Sequence, residues 1–135
     1  MDRQKPQVLP GITSQMVDTP RLRMHVLSCG PASGEPVAFV HGNFSSATYF
    51  EETMRTMPPR YRCLAPDLRG YGDTEKPAQG YDLGTLAEDV RGLVLALGRK
   101  TCALAGHDWG GAIAFHAAAR FPEVVERLIV MNAPH

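Results

Sequence analysis

The chain has 135 residues, 44% of them apolar, and its 14 Lys and Arg are matched by 14 Asp and Glu. That length suits a single domain with a core of its own. The charge balance gives no field that would draw in nucleic acid or an anionic membrane, and no segment has the length and apolarity to span a bilayer.

Residues 1–13 are polar and interrupted by Pro and Gly, which predicts a flexible arm ahead of a domain over 14–135. The first residues carry no apolar signal core. The three cysteines, Cys29, Cys63 and Cys102, lack the spacing of a disulfide framework. Two of them lie in apolar strand candidates, so they read as free thiols of a reducing compartment, and a cytoplasmic location is expected.

Gln15-Met16-Val17 and residues 21–27 flank Asp18-Thr19-Pro20, which predicts a hairpin near a sheet edge. Val37-Ala38-Phe39-Val40, Cys63-Leu64-Ala65, Ala103-Leu104-Ala105 and Leu128-Ile129-Val130-Met131 are short apolar runs without alternation. Strands covered on both faces of a parallel sheet have this character. Helical segments separate them. Thr48-Tyr49-Phe50-Glu51 and Thr85-Leu86-Ala87-Glu88 have the form of capping boxes. Pro58-Pro59 would end the first helix. In the second, Leu86, Val90, Leu93, Val94 and Leu97 recur at helical spacing, and Gly98 would close it. A third helix is predicted from about Trp109 to Arg120, stopping before Pro122. Strands and helices in alternation define a doubly wound α/β layout.

The most informative stretch is Gly106-His107-Asp108-Trp109-Gly110, between the third apolar run and the third helix. Small residues two before and two after a central acid give the spacing of a nucleophile elbow. The apex of so sharp a turn needs φ > 0, and its flanks come too close to strand and helix to carry bulk. An Asp at the apex can attack carbon and form an ester with the protein. The positive end of the helix favours the ionised, nucleophilic form. Asp is also a favoured N-cap, but a cap alone does not account for both glycines and the apolar strand leading in.

The backbone N–H of Trp109 would face charge developing beside Asp108. Its indole has two readings, a donor to a leaving anion or a core aromatic at a helix start. His41-Gly42-Asn43-Phe44 follows a strand directly. The Asn43 N–H would supply a second donor, and its amide could serve a leaving anion. His41 reads as a structural histidine bonded to the loop backbone, and His107 as a support rather than a base. The loop Asp67-Leu68-Arg69-Gly70-Tyr71-Gly72-Asp73 also follows a strand end, where ligand crevices of open α/β sheets lie. It is given no catalytic role, and Arg69 with Asp67 reads as a structural pair. Gly70-x-Gly72 is not a dinucleotide fingerprint, and no His/Cys cluster has metal-ligand spacing, so neither cofactor nor metal is expected. His25, His116 and His135 are scattered and call for no special explanation.

With these motifs, the chain resembles the α/β-hydrolase fold family, and Gly-His-Asp-Trp-Gly-Gly at 106–111 resembles its Asp-nucleophile branch of epoxide hydrolases and haloalkane dehalogenases. The loop at 67–73 with Lys76-Pro77, and Asn132-Ala133-Pro134-His135, are similar to epoxide hydrolases. Asn43 is the residue that haloalkane dehalogenases place in the His-Gly loop, and Phe44 stands where both groups commonly carry Pro. The resemblance implies Asp108 as nucleophile, Asn43 and Trp109 as oxyanion- or halide-stabilising groups, and a small epoxide or alkyl halide as partner. It further implies that the chain is the N-terminal part of a core that ends after the sixth strand. The cap, the late acid and the late His of the family would then be absent, and turnover would not be expected. The strand at 128–131 would be an open edge that pairs with another copy or with a C-terminal half. A non-catalytic interaction module is the alternative outside enzymes. An esterase at the elbow is disfavoured, because no Ser occupies it.

Overall fold

The computed structural model describes residues 8–132. β1 (Thr13–Asp18) and β2 (Arg23–Cys29) form the expected antiparallel hairpin, with β1 at a sheet edge. β2 runs antiparallel to β4 (Tyr61–Pro66). β3 (Glu35–Val40) lies parallel between β4 and β5 (Cys102–His107), and β6 (Val125–Met131) lies parallel beside β5. The six strands follow the order β1-β2-β4-β3-β5-β6. The sheet is thus mostly parallel, as the non-alternating apolar runs predict.

The pleat divides each central strand between two cores. Ala38 and Val40 of β3 join Met24, Val26, Leu64 and Leu104 in a cluster with α2 (Leu83–Ala96) and α3 (Trp109–Arg120). Val37 and Phe39 join Leu27, Cys63 and Ala65 in a second cluster with Phe50 and Met54. Each fully buried Leu, Val or Phe contributes about 1.5–3 kcal/mol relative to exposure, so strands apolar on both faces bind helices on both sides. Val8 and Leu9 pack against the second cluster and Ile12 is buried within it, so packing extends N-terminal of residue 14.

Both capping boxes are corrected. α2 begins two residues before Thr85, and its N-cap is Asp82, whose carboxylate accepts the Thr85 N–H at 3.1 Å. The Asp carboxylate is already in place three residues ahead, so Thr85 is capped rather than capping. In the other case, Ala47–Phe50 is a 3-10 turn that runs into the short α1 (Glu51–Thr56). Thr48 there bonds the Ser46 hydroxyl at 2.7 Å instead of a backbone N–H. The remaining helix signals hold. Gly98 follows α2 at φ 80°, and α3 stops at Arg120 before Pro122.

Cys63 and Cys102 are buried free thiols and Cys29 is half-buried. Burial pushes the Cys63 thiol up to about 11 and that of Cys102 up to about 12. No helix among the described residues is long and apolar enough to cross a membrane.

Candidate active site

The carboxyl ends of β3, β4 and β5 deliver three loops to one end of the sheet. β5 ends at His107, Asp108 follows at φ 58° and ψ −125°, and α3 begins at the next residue. Asp108 stands at the N-cap position of α3, but its side chain makes no capping bond. It is exposed, outside the helix.

Sterics explain the glycines on either side. A Cβ on Gly106 would lie 2.2 Å from the Gly110 carbonyl oxygen, and one on Gly110 would lie 2.1 Å from the Val40 oxygen. These are backbone atoms that cannot swing away. The close packing of β5, α3 and β3 therefore excludes any side chain at 106 or 110.

The β3 loop meets this turn. The Asn43 N–H donates to Asp108 Oδ2 at 3.3 Å. The Trp109 N–H also faces the carboxylate, and only the Asn43 contact has full hydrogen-bond geometry. Together the Trp109 and Asn43 N–H groups hold the Asp108 carboxyl below the ordinary carboxylate value of 3.8, so it is ionised at neutral pH. Oδ2 is held by the Asn43 N–H, and Oδ1 makes no hydrogen bond of full geometry among the described residues.

His41 lies fully buried beneath the loop. Its Nδ1–H donates to the Gly42 carbonyl at 2.8 Å, and its Nε2 accepts the Leu68 N–H at 3.0 Å. Burial holds the ring below its ordinary value, against the opposing pull of the Gly42 bond. A neutral imidazole with both nitrogens occupied is a tie between the β3 and β4 loops, in agreement with the structural reading.

Asn43 has a partner that the sequence did not reveal. The Tyr71 hydroxyl donates to Asn43 Oδ1 at 2.9 Å, while the Tyr71 ring meets His41 edge-on with centroids 5.0 Å apart. That bond assigns Oδ1 to Tyr71 and leaves the NH2 as a donor without a partner among the described residues. Asn43, Tyr71, Leu68, Tyr81 and Trp109 line one open cleft. The Trp109 ring packs on the main core, as the core-aromatic reading expects, and it also borders this cleft. Phe44, next in the loop, is 99% exposed at φ 57°. Proline is locked near φ −65°, so this loop has a path that the Pro common in the resembled groups could not follow.

The Asp67–Asp73 loop corrects one expectation, because Arg69 does not pair with Asp67. Arg69 makes a two-pronged bond to the fully buried Asp89 of α2, at 2.8 and 3.0 Å. Asp67 instead bonds His25 Nδ1 at 2.7 Å and accepts the Ala47 and Asp73 N–H groups at 2.8 and 3.0 Å. Burial alone would raise its carboxyl, but the His25, Ala47 and Asp73 bonds outweigh burial and hold it low. His25, Asp67 and Asp73 bring three ligand atoms within 4.8 Å of one another. The hydrogen bonds just given already satisfy Asp67, so the cluster is complete without an ion.

His107 stacks on Tyr49 with centroids 4.9 Å apart. His116 faces the start of α2 from α3. His135 and the end of the Asn132-Ala133-Pro134-His135 motif lie outside the described residues.

Sheet order, helices on both faces and an acid at the tip of a strand–turn–helix define an α/β-hydrolase fold. A sequence model of the alpha/beta hydrolase fold family matches residues 35–135, and the chain belongs to that family. It is 41% identical over 110 residues to the soluble epoxide hydrolase of Corynebacterium sp. (strain C12), a match that spans 82% of this chain and 38% of that protein. An epoxide hydrolase from an endophytic Streptomyces superposes with a TM-score of 0.88 at 33% identity, over 94% of this chain and 39% of that one. A membrane phospholipase A described as a bacterial virulence factor fits equally well, with a TM-score of 0.88 at 33% identity over 92% of this chain and 40% of that one. The chain thus spans about two-fifths of these relatives.

Proposed function

We propose that Asp108 is a covalent nucleophile toward small electrophilic carbon, with an epoxide as the favoured substrate. The observation that carries this reading is its placement: a carboxylate at φ 58° on the tip of the turn, with one oxygen held by the Asn43 N–H at 3.3 Å. Oδ1 attacks a ring carbon, the carbon–oxygen bond opens, and the alkoxide takes a proton from water. The product is an ester whose carbonyl oxygen is the former Oδ2. That oxygen already accepts the Asn43 N–H, with the Trp109 N–H also facing the carboxylate, and donors there stabilise the oxyanion that forms when water attacks the ester. Such donors are worth about 10²–10³-fold each. Similarity to proteins named epoxide hydrolases supports the same substrate class.

The second reading is an alkyl halide. It is favoured by the Tyr71–Asn43 bond, which engages Oδ1 and leaves the amide NH2 as a donor on a residue that lines the same cleft as Trp109. Attack by Oδ1 would then expel halide between these two side chains.

Neither reading provides a base for the second step among the described residues. His41 has both ring nitrogens occupied, His25 lies in a different cleft beside Ser14, His107 stacks on Tyr49 and His116 faces the start of α2. The chain is therefore expected to be alkylated once and not to turn over. Intact-mass measurement after incubation with a reactive epoxide, and separately with a primary alkyl halide, tests this. One adduct per chain with the epoxide is expected. Faster labelling by the halide, with stoichiometric halide release, would favour the second reading. Sustained diol formation would contradict the single-alkylation claim.

β6 has one strand neighbour, β5, among the described residues, and Ile129 on it is 54% exposed. An apolar edge of this kind recruits further strands, and we take it to be a self-association surface.

A further inference from the structure

Away from the elbow, the hydrogen-bonded series Ser14, His25, Asp67 is arranged for proton relay. Ser14 Oγ lies 2.6 Å from His25 Nε2, and His25 Nδ1 lies 2.7 Å from Asp67 Oδ2. Three elements converge to make it. Ser14 sits on the edge strand β1 opposite Leu27, one step diagonally from His25 on the same face of β2. Asp67 follows β4 directly. The order of donors follows from chemistry. Asp67 is ionised and can only accept, so neutral His25 carries its one proton on Nδ1 and presents the Nε2 lone pair to the Ser14 hydroxyl. Asp67 cannot drift, because the Ala47 and Asp73 N–H groups hold it. The acid is buried and the serine exposed, with the imidazole between them. Anchoring the 67–73 loop would need only one nitrogen of His25. The second nitrogen, aimed at an exposed hydroxyl, is what that role leaves unexplained.

We propose that Ser14 is a second nucleophile of this protein, activated by His25 and Asp67 toward small uncharged carboxylic esters and related acylating or phosphonylating groups. The three residues line one cleft, separate from that of Asn43 and Trp109. Val8 and Leu27 offer it an apolar wall, and Asp73 on its border disfavours anionic substrates. Ser46 and Thr48 also line it, their hydroxyls bonded to each other at 2.7 Å. One proton of that pair is used internally, and the other is free to meet an oxyanion. In the reaction, Ser14 Oγ bonds to the carbonyl carbon as its proton passes to His25 Nε2. The ester's carbon–oxygen bond then breaks, and the leaving alkoxide takes that proton. Water attacks the acyl-serine, gives a proton to His25, releases the acid, and the proton returns to Ser14.

The test uses the whole chain and a small-alkyl fluorophosphonate, with the modified residue located by peptide mass mapping. Serine oxygen replaces fluoride on phosphorus, and fluoride and a proton are released. The expected result is an adduct on Ser14 that forms about 100-fold faster than on Ser45 or Ser46, the lower end of general-base assistance. Ser14→Ala should abolish the adduct, His25→Gln should slow it about 100-fold, and Asp108→Asn should leave it unchanged. The last variant separates this proposal from the elbow chemistry, so failure of epoxide alkylation does not bear on it. No adduct on Ser14, a rate like that of Ser45 and Ser46, or a folded His25→Gln that labels as fast as the unmodified chain would each overturn it. Should His25→Gln not fold by circular dichroism, the rate ratio within the unmodified chain decides alone.

Discussion

A Cβ on Gly42 would lie 2.7 Å from both the Cβ and Oδ2 of Asp108. The β3 loop can therefore bring its Asn43 N–H to the carboxylate only because residue 42 has no side chain. Gly42→Ala forces the two loops apart. The expected cost is about 1–3 kcal/mol, typical of an overpacked contact, with a larger proportional loss of Asp108 alkylation. Urea denaturation and adduct formation, measured on the same sample, check this. Unchanged alkylation at reduced stability would show that the approach of the β3 loop does not matter to reactivity.

Asp89 ties the 67–73 loop to α2. Both of its oxygens are engaged, by Arg69 in a two-pronged bond and by Arg21 at 2.9 Å. Removing one partner of a buried pair leaves an uncompensated charge and costs about 3–5 kcal/mol. Asp89→Ala is expected to fall in that range by denaturant unfolding. Arg21→Ala, at a site one-third exposed, should cost about 1 kcal/mol or less because solvent screens it. Equal effects of the two would contradict the assignment of Arg69 as the principal partner.

Acid should destabilise the fold in two stages. His41 is held below its ordinary value of 6.5 in the folded state. As pH falls through that value, the unfolded chain takes up a proton that the folded chain refuses. Stability therefore declines below about pH 6.5, by at most about 1.4 kcal/mol per pH unit for one group. Asp67 is held below its ordinary 3.8. Its contribution is present above that value and is lost as pH falls through the folded-state value. Urea midpoints taken from about pH 8 down to about pH 2 should fall along this course. His41→Gln should be less stable at neutral pH yet show a flatter decline below pH 6.5. An equally steep decline in that variant would assign the acid sensitivity elsewhere.

The outer edge of β6 should make the chain self-associate. Sedimentation velocity is expected to show dimers or larger species that shift toward monomer in Ile129→Lys, since a charge on an edge strand blocks strand addition. A clean monomer for the unmodified chain would remove this surface from the account.

Periodic and local features were legible in the sequence. Four apolar runs became β3, β4, β5 and β6, the hairpin formed at the edge, and the glycines at 106 and 110 mark the tight strand–turn–helix. Each of these follows from a local rule of sterics or burial. Choice of partner did not follow from such rules. Arg69 has acids 2 residues back and 20 ahead, and only packing of the loop on α2 selects Asp89. His25 meets Asp67 across 42 residues, and Tyr71 meets Asn43 across 28. Nothing in the spacing of these residues announces the pairings. Asp82 is a favoured cap just ahead of the apolar stripe, and the Thr85–Glu88 spacing is a competing signal three residues further on.

The most direct test of the central claim is to locate the adduct after incubation with a reactive epoxide, in the unmodified chain and in Asp108→Asn. The account predicts an ester on the peptide that carries Asp108, with no adduct in the variant. Adduct on another residue, or equal labelling of Asp108→Asn, would contradict it.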